Sequence, residues 1–264
     1  MAVMYVDVEA LNLRSGAASN TDNKIGSLFL MQRVDVLGDE ADGWALVETT
    51  IDGAPIRGYV AKKFLRAPVT PNREALIASA SREFMRFARG LGKENVDPFS
   101  RFVGEMWRAI GVDKLDGTDR GVPWSAAAIS FMVRNAGNAY KHFKFAPSHS
   151  RFVHHAIQAR MKNDKTAPFW GFRLDETRPQ IGDIVARDNP EFAPVVTFDI
   201  ASHLDSYRSH TDIVVHVDSA KRRLLAIGGN VGHSVGIAIY DLAPGDFLSG
   251  NQHTFALLRN RTDE

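Results

Sequence analysis

Three short strings carry side chains suited to covalent chemistry. The first is Val122-Pro123-Trp124-Ser125-Ala126-Ala127-Ala128, where Pro123 sets an extended entry and Ser125 stands at or next to the start of an apolar helix. Serine is a preferred helix cap, so its hydroxyl can simply satisfy a free backbone N–H. It can equally be presented as a nucleophile, with the helix dipole favouring negative charge developing there. The second string, Ser209-His210-Thr211-Asp212-Ile213-Val214-Val215-His216-Val217-Asp218, alternates with period two. Alternation predicts Thr211, Ile213, Val215 and Val217 facing the core, with His210, Asp212, His216 and Asp218 on a solvated face. A neutral His210 there would serve as general base. The third, Leu225-Ala226-Ile227-Gly228-Gly229-Asn230, ends a strand next in sequence to the histidine strand. An antiparallel neighbour would bring Asn230 beside the imidazole, so Ser125, His210 and Asn230 (or Asp212) form one triad hypothesis.

Two other chemistries use overlapping residues. His210 and Asp212 with His149 or His216 could ligate a metal, although no HExxH or cysteine pattern supports it. Glu105, Asp119 and Asp212 are acids within the motifs, and a suitably separated pair would hydrolyse a glycosidic bond. Glu105 has a plainer use, pairing with Arg101 or Arg108 on a helix face.

The elements that must position these groups divide the chain at Ala67-Pro68-Val69-Thr70-Pro71, which reads as a linker over residues 67–72. Residues 1–66 read as short strands, among them Tyr5–Val8, Arg33–Leu37 and Trp44–Glu48. Turn signals such as Asp42-Gly43 and Asp52-Gly53 separate them, indicating a small antiparallel barrel. Seven basic against nine acidic residues make this segment mildly acidic and ill suited to gripping nucleic acid.

Residues 73–264 begin with helical patterns. Leu76, Ile77, Ala80, Phe84, Phe87, Ala88 and Leu91 form one stripe, closed by Gly90 and Gly92. Further helices are predicted over Phe99–Ile110, over Trp124–Ala136 (apolar nearly all round), and over Ser150–Met161. Strands follow at Ile184–Ala186, Val195–Ile200, His210–Val217, Leu224–Ile227, Val235–Tyr240 and Phe255–Leu258. Helices and then strands indicate an α+β domain around an antiparallel sheet.

Composition bounds the rest. The 264 residues are 44% hydrophobic and 24% charged, with a formal net charge of +1, so no strong field recruits nucleic acid or an anionic membrane. Cysteine is absent, which excludes disulfides, thiolate zinc sites and a cysteine nucleophile. No apolar run is long enough to span a bilayer, and Met1–Asp7 does not read as a secretory leader.

Leu11-Asn12-Leu13-Arg14-Ser15-Gly16, Gly43-Trp44, Arg57-Gly58-Tyr59-Val60 and Phe64-Leu65 together resemble the bacterial Src-homology-3 family, with Tyr59 where tryptophan is usual. The resemblance implies a wall-targeting module in which the Gly58-Tyr59 pair closes the barrel and Trp44 fills or caps its core. In the second region, Pro123 to Gly137, Pro179-Gln180-Ile181-Gly182-Asp183-Ile184-Val185, His210 and Gly228-Gly229-Asn230 resemble the cysteine/histidine-dependent amidohydrolase/peptidase group of papain-like wall hydrolases. They are similar also to a bacterial family of unknown function that carries PWSA and SH-x-DIV strings. Gly104-Glu105-Met106-Trp107, Asp116-Gly117-Thr118-Asp119 and Pro147-Ser148-His149-Ser150 match that family as well.

These resemblances imply a papain-like α+β domain after the barrel and a peptidoglycan amidase or endopeptidase with no cofactor. Ser125 stands where the papain-like group has cysteine. Ser125, His210 and Asn230 or Asp212 would be catalytic, and Trp124, Glu105, Asp119 and His149 would contact substrate. A serine hydroxyl is too weakly acidic to be stored as an alkoxide and needs a neutral base in reach. A non-catalytic wall-binding protein on a retired hydrolase fold is the alternative. The expected location is periplasmic or secreted, and a toxin role with an immunity or inhibitor partner is compatible with a start that does not read as a secretory leader.

Overall fold

The computed structural model describes residues 2–39, 41–189 and 195–264, in two compact units, Met1–Val69 and Thr70–Glu264. The architecture is α+β with antiparallel sheets.

The first unit is a seven-stranded sheet of β1 (Ala2–Val6), β2 (Ala10–Arg14), β3 (Lys24–Phe29), β4 (Arg33–Asp39), β5 (Trp44–Ile51), β6 (Ala54–Ala61) and β7 (Leu65–Arg66). Its order is β3-β2-β6-β5-β4-β1-β7. Alternate side chains point inward, and Val6, Leu13, Leu28, Val34, Ala45, Val47 and Val60 form a solvent-free core. Asp52 and Gly53 both have positive φ (51° and 81°), which suits the two-residue turn joining β5 to β6. Gly58 allows β6 to cross β2, since a Cβ there would lie 2.6 Å from the Arg14 carbonyl oxygen. Trp44 is half-buried and lines a surface groove with Ser19, Ala61 and Phe64 rather than filling the core.

The second unit opens with α1 (Pro71–Arg86), α2 (Phe99–Arg108), α3 (Ser125–Asn135) and α4 (His149–Met161). β8 (Phe169–Phe172), β9 (Ile184–Asp188), α5 (Phe198–His203), β10 (Ser209–Asp218), β11 (Arg223–Gly228), β12 (Gly236–Asp241) and β13 (Thr254–Asn260) follow. The strands form an antiparallel sheet in the order β12-β11-β10-β9-β13-β8. α1, α3 and α4 pack on the central β10. Val185, Val214, Leu224, Ala226, Tyr240, Leu242, Leu248 and Leu257 form a further apolar cluster.

Four details depart from the periodicity. Pro71 and Asn72 are the first turn of α1 rather than linker. That helix stops at Arg86, because Ala88 and Arg89 both take positive φ; Phe87 stays buried while Leu91 is exposed. The stretch expected as a strand over Val195–Ile200 instead leads into α5, where the Thr197 hydroxyl accepts the Ile200 N–H at 3.3 Å and caps the helix. β10 is buried on both faces from Thr211 to Val215, so Asp212 is fully enclosed rather than solvated. A bulge between Val214 and His216 then shifts its register with β11.

Much of the second unit is locked by one buried polar network. Arg73 of α1 donates to Asp183 Oδ1 at 2.8 Å, to the Ile181 carbonyl at 2.8 Å, and to the Asn260 carbonyl. Backbone N–H groups of Asn260 and Gln180 also donate to Asp183, at 3.0 and 2.9 Å. Asn260 Nδ2 donates to Tyr140 Oη at 2.7 Å. One carboxylate thus ties the first helix to β9 and to the last strand.

Candidate functional site

Ser125 is the first residue of α3, with Trp124 at the cap position, and no side chain caps the helix. The hydroxyl is therefore not spent on an N–H of its own helix. It lies 2.7 Å from His149 Nε2. His149 is likewise the first residue of its helix, α4, so two helix starts converge on one hydrogen bond. Ser130 fixes that convergence one turn further along α3, donating to the Ala146 carbonyl at 3.1 Å and accepting the Ala146 N–H at 3.2 Å.

His149 Nδ1 lies 2.8 Å from Thr211 Oγ1 on β10. In the tautomer that donates from Nδ1 to this hydroxyl, Nε2 is free to accept the Ser125 proton. Burial pushes the His149 imidazole well below its ordinary range, and the neighbouring His210 pushes it the same way. A helix start also disfavours a cation. His149 is accordingly neutral at pH 7, the state a serine needs in its base.

A second histidine pair stands alongside. The His149 and His210 ring centroids are 5.1 Å apart. His210 Nε2 lies 3.0 Å from Asp212 Oδ1, and Tyr240 of β12 donates its hydroxyl to Asp212 Oδ2. Burial works to raise the Asp212 carboxyl. The neighbouring His210, the hydrogen bonds from His210 and Tyr240, and Arg187 more than offset it and hold the carboxyl below its usual range. Tyr240 is pushed well above its ordinary range by burial and by the Asp212 charge. Gly228 makes room for the pair: a Cβ there would overlap Asp212 Oδ1 and lie 3.2 Å from His210 Nε2.

The start of α3 is boxed in by its neighbours. The Trp124 ring stacks on Phe87 at 5.7 Å, and its Nε1–H donates to Glu94. The other Glu94 oxygen lies 3.0 Å from His233 Nδ1. Gly229 fits against Trp124 and Ala128 with no room for a side chain. The first N–H groups of α3 have no carbonyl one turn earlier in the helix to receive them.

The sequence-derived triad is redistributed. The Ser125 partner is His149, not His210. The His210 partner is Asp212, not Asn230, which adopts a positive φ of 56° in its turn and makes no side-chain hydrogen bond among the described residues. Glu105 pairs with Arg86 at 2.7 Å rather than with Arg101 or Arg108; Arg101 pairs with Asp97. Asp119 accepts the Asp116 N–H at 2.7 Å. No hydrogen bond among the described residues links any two of Glu105, Asp119 and Asp212. Nor do three His, Asp or Glu side chains gather there in a metal-holding group. Thr211 and Tyr240 belong to the cluster although no motif singles them out, and Gly228, part of the third string, adds room for Asp212 to its place in the turn.

The molecule is thus a two-unit α+β protein in which a serine and a histidine at two helix starts share a hydrogen bond beside a histidine–aspartate pair. A family model described as "Uncharacterized protein conserved in bacteria (DUF2272)" matches residues 91–255, and the chain belongs to that family. No curated protein matches the chain. Among solved structures, NlpC2 from Trichomonas vaginalis is 12% identical, with 99% of this chain and 73% of that one covered and a TM-score of 0.31. NlpC1 from the same organism is 10% identical, with 96% and 70% covered and a TM-score of 0.28. No helix among the described residues is long and apolar enough to cross a membrane.

Proposed function

We propose that the second unit is a serine-dependent amide hydrolase acting on peptidoglycan, in the stem peptide or at its junction with the sugar. The observation that carries the reading is the 2.7 Å contact between Ser125 Oγ and His149 Nε2. In this reading His149 takes the hydroxyl proton as Ser125 attacks the carbonyl, and Thr211 holds the ring in the accepting tautomer. The unpaired N–H groups at the start of α3 receive the developing oxyanion, aided by the dipole of that helix. The site is nearly free of solvent, with Ser125 6% and His149 5% exposed, so these dipoles act in a low dielectric.

The substrate class rests on the papain-like wall-hydrolase motifs quoted above. The first unit, with its Src-homology-3-like strings, is proposed as the wall-targeting module. Tethering raises the effective concentration of a slow catalyst on an insoluble polymer. The substrate places the protein in the periplasm or outside the cell, where an inhibitor partner would also act.

The test is mass spectrometry of purified peptidoglycan digested with the protein and with Ser125→Ala. New amine and carboxyl termini that vanish in the variant support the reading, and their masses name the bond. Products that persist in Ser125→Ala contradict it. Sedimentation of both proteins with the wall, without products from either, favours the binding-only alternative.

A further inference from the structure

A single imidazole serving both as base and as acid does not account for the second one. His210 is 12% exposed in its side chain, is anchored through Nε2 to a fully buried carboxylate, and stands 5.1 Å ring to ring from the histidine bonded to Ser125. Its ring neighbours His149 on α4 and bonds Asp212 on its own strand; Arg187 on β9 is its register partner, and Tyr240 on β12 shares the Asp212 carboxylate. The Asp212 carboxylate, with Gly228 cut back to admit it, holds the ring through Nε2 and leaves Nδ1 as its other nitrogen. The neighbouring His149 is kept neutral by burial. The two rings thus have different anchors, hydroxyl groups at His149 and a buried carboxylate at His210.

Building on the serine-hydrolase reading, we propose that the two histidines divide the proton transfers, with His149 serving the Ser125 oxygen and His210 serving the leaving amine and then the incoming water. In acylation Ser125 Oγ bonds the carbonyl carbon and its proton passes to His149 Nε2. The C–N bond breaks, its electron pair stays on nitrogen, and His210 Nδ1 supplies the proton that releases the amine. The acyl-enzyme then faces a protonated His149 and a neutral His210. In deacylation His210 Nδ1 takes a proton from water as its oxygen attacks. The C–Oγ bond breaks, and His149 returns its proton to Ser125. Both rings end as they began, and the net change is amide plus water to amine plus acid.

The division makes a distinction that a merely structural His210 would not. An amide needs a proton on its leaving nitrogen, whereas a p-nitrophenolate leaves unaided. His210→Asn should therefore lower peptidoglycan amide cleavage about 10²–10⁴-fold. It should leave the acylation burst with p-nitrophenyl acetate within about threefold of wild type. The steady-state ester rate after the burst should fall, with acyl-enzyme accumulating on Ser125. Asp212→Asn, which keeps the ring and the packing, should show the same split with a smaller loss and covers the case in which His210→Asn does not fold. Equal losses in burst and amide cleavage, or amide cleavage left intact, would overturn the division. A wild-type protein with no acetyl group on Ser125 would overturn the underlying serine reading as well, so the two failures are told apart.

Discussion

Two Asp-Ile-Val strings lie side by side in the central sheet, Asp183-Ile184-Val185 on and before β9 and Asp212-Ile213-Val214 on β10, paired antiparallel through Ile184 and Ile213. Both carboxylates are fully buried, yet their surroundings differ. Asp183 receives a guanidinium and two backbone N–H groups. Burial nevertheless pushes its carboxyl up, against the pull of Arg73. Its partners are main chain and one arginine, none able to pass a proton to a ligand. Asp212 receives an imidazole and a phenol, and its carboxyl is held down. One aspartate staples three segments; the other holds a histidine beside the Ser125–His149 pair. Residue type and neighbouring sequence do not separate the two roles, whereas the chemistry of the donors does.

The largest expected effect falls on the staple. Asp183→Ala leaves Arg73 buried without its carboxylate and should cost about 3–5 kcal/mol in urea unfolding. Cleavage per folded molecule should be unchanged. A loss below about 1 kcal/mol would erase the distinction between the two aspartates.

Gly228→Ala drives a methyl group into Asp212 Oδ1. It should cost about 1–3 kcal/mol and, unlike Asp183→Ala, should also lower amide cleavage in the folded protein. Intact activity would mean that the contact of Asp212 with His210 is not needed.

The pH dependence of stability sharpens the contrast. His149 is depressed in the folded protein, so the unfolded chain binds the extra proton; its contribution is present above the ordinary histidine range and lost as pH falls below it. Unfolding free energy should therefore fall by up to about 1.4 kcal/mol per pH unit below about pH 6.5. His149→Phe should flatten this slope. Asp212 has the same sign at more acidic pH, below the ordinary carboxylate range. Asp183, raised by burial, has the opposite sign: its contribution is lost as pH rises through the raised value. Urea midpoints across pH for wild type and His149→Phe check this, and an unchanged slope would mean that His149 titrates normally.

The smallest effect should come from Glu105→Gln, because Glu105 is 41% exposed and pairs with Arg86 at the surface. Stability should change by about 0–1 kcal/mol and peptidoglycan cleavage by less than about twofold. Abolished cleavage would favour carboxylate-dependent glycosidase chemistry instead.

Much of this was legible in the residues. The apolar run after Ser125 does form the buried α3, and the alternation in residues 209–218 does mark a strand. Asp212 was misplaced because alternation reports a half-buried strand, whereas β10 lies between two others with helices packed on it, so polar groups there are enclosed. The Ser125–His149 pairing was hidden for another reason. It depends on the starts of two helices 24 residues apart meeting through Ser130 and Ala146, and no period encodes that meeting. β8 was missed because Phe169–Phe172 is four residues long with no alternation to detect; Gly171 there fits against Ile157 of α4.

Whether His149 makes Ser125 nucleophilic is open to chemical labelling. The measurement is reaction of the whole chain with a fluorophosphonate, followed by peptide mass mapping. One label per chain is expected on Ser125 in the wild type, with labelling slowed at least about 100-fold in a folded His149→Gln variant. An unlabelled Ser125, or equal labelling in the variant, would contradict activation by His149.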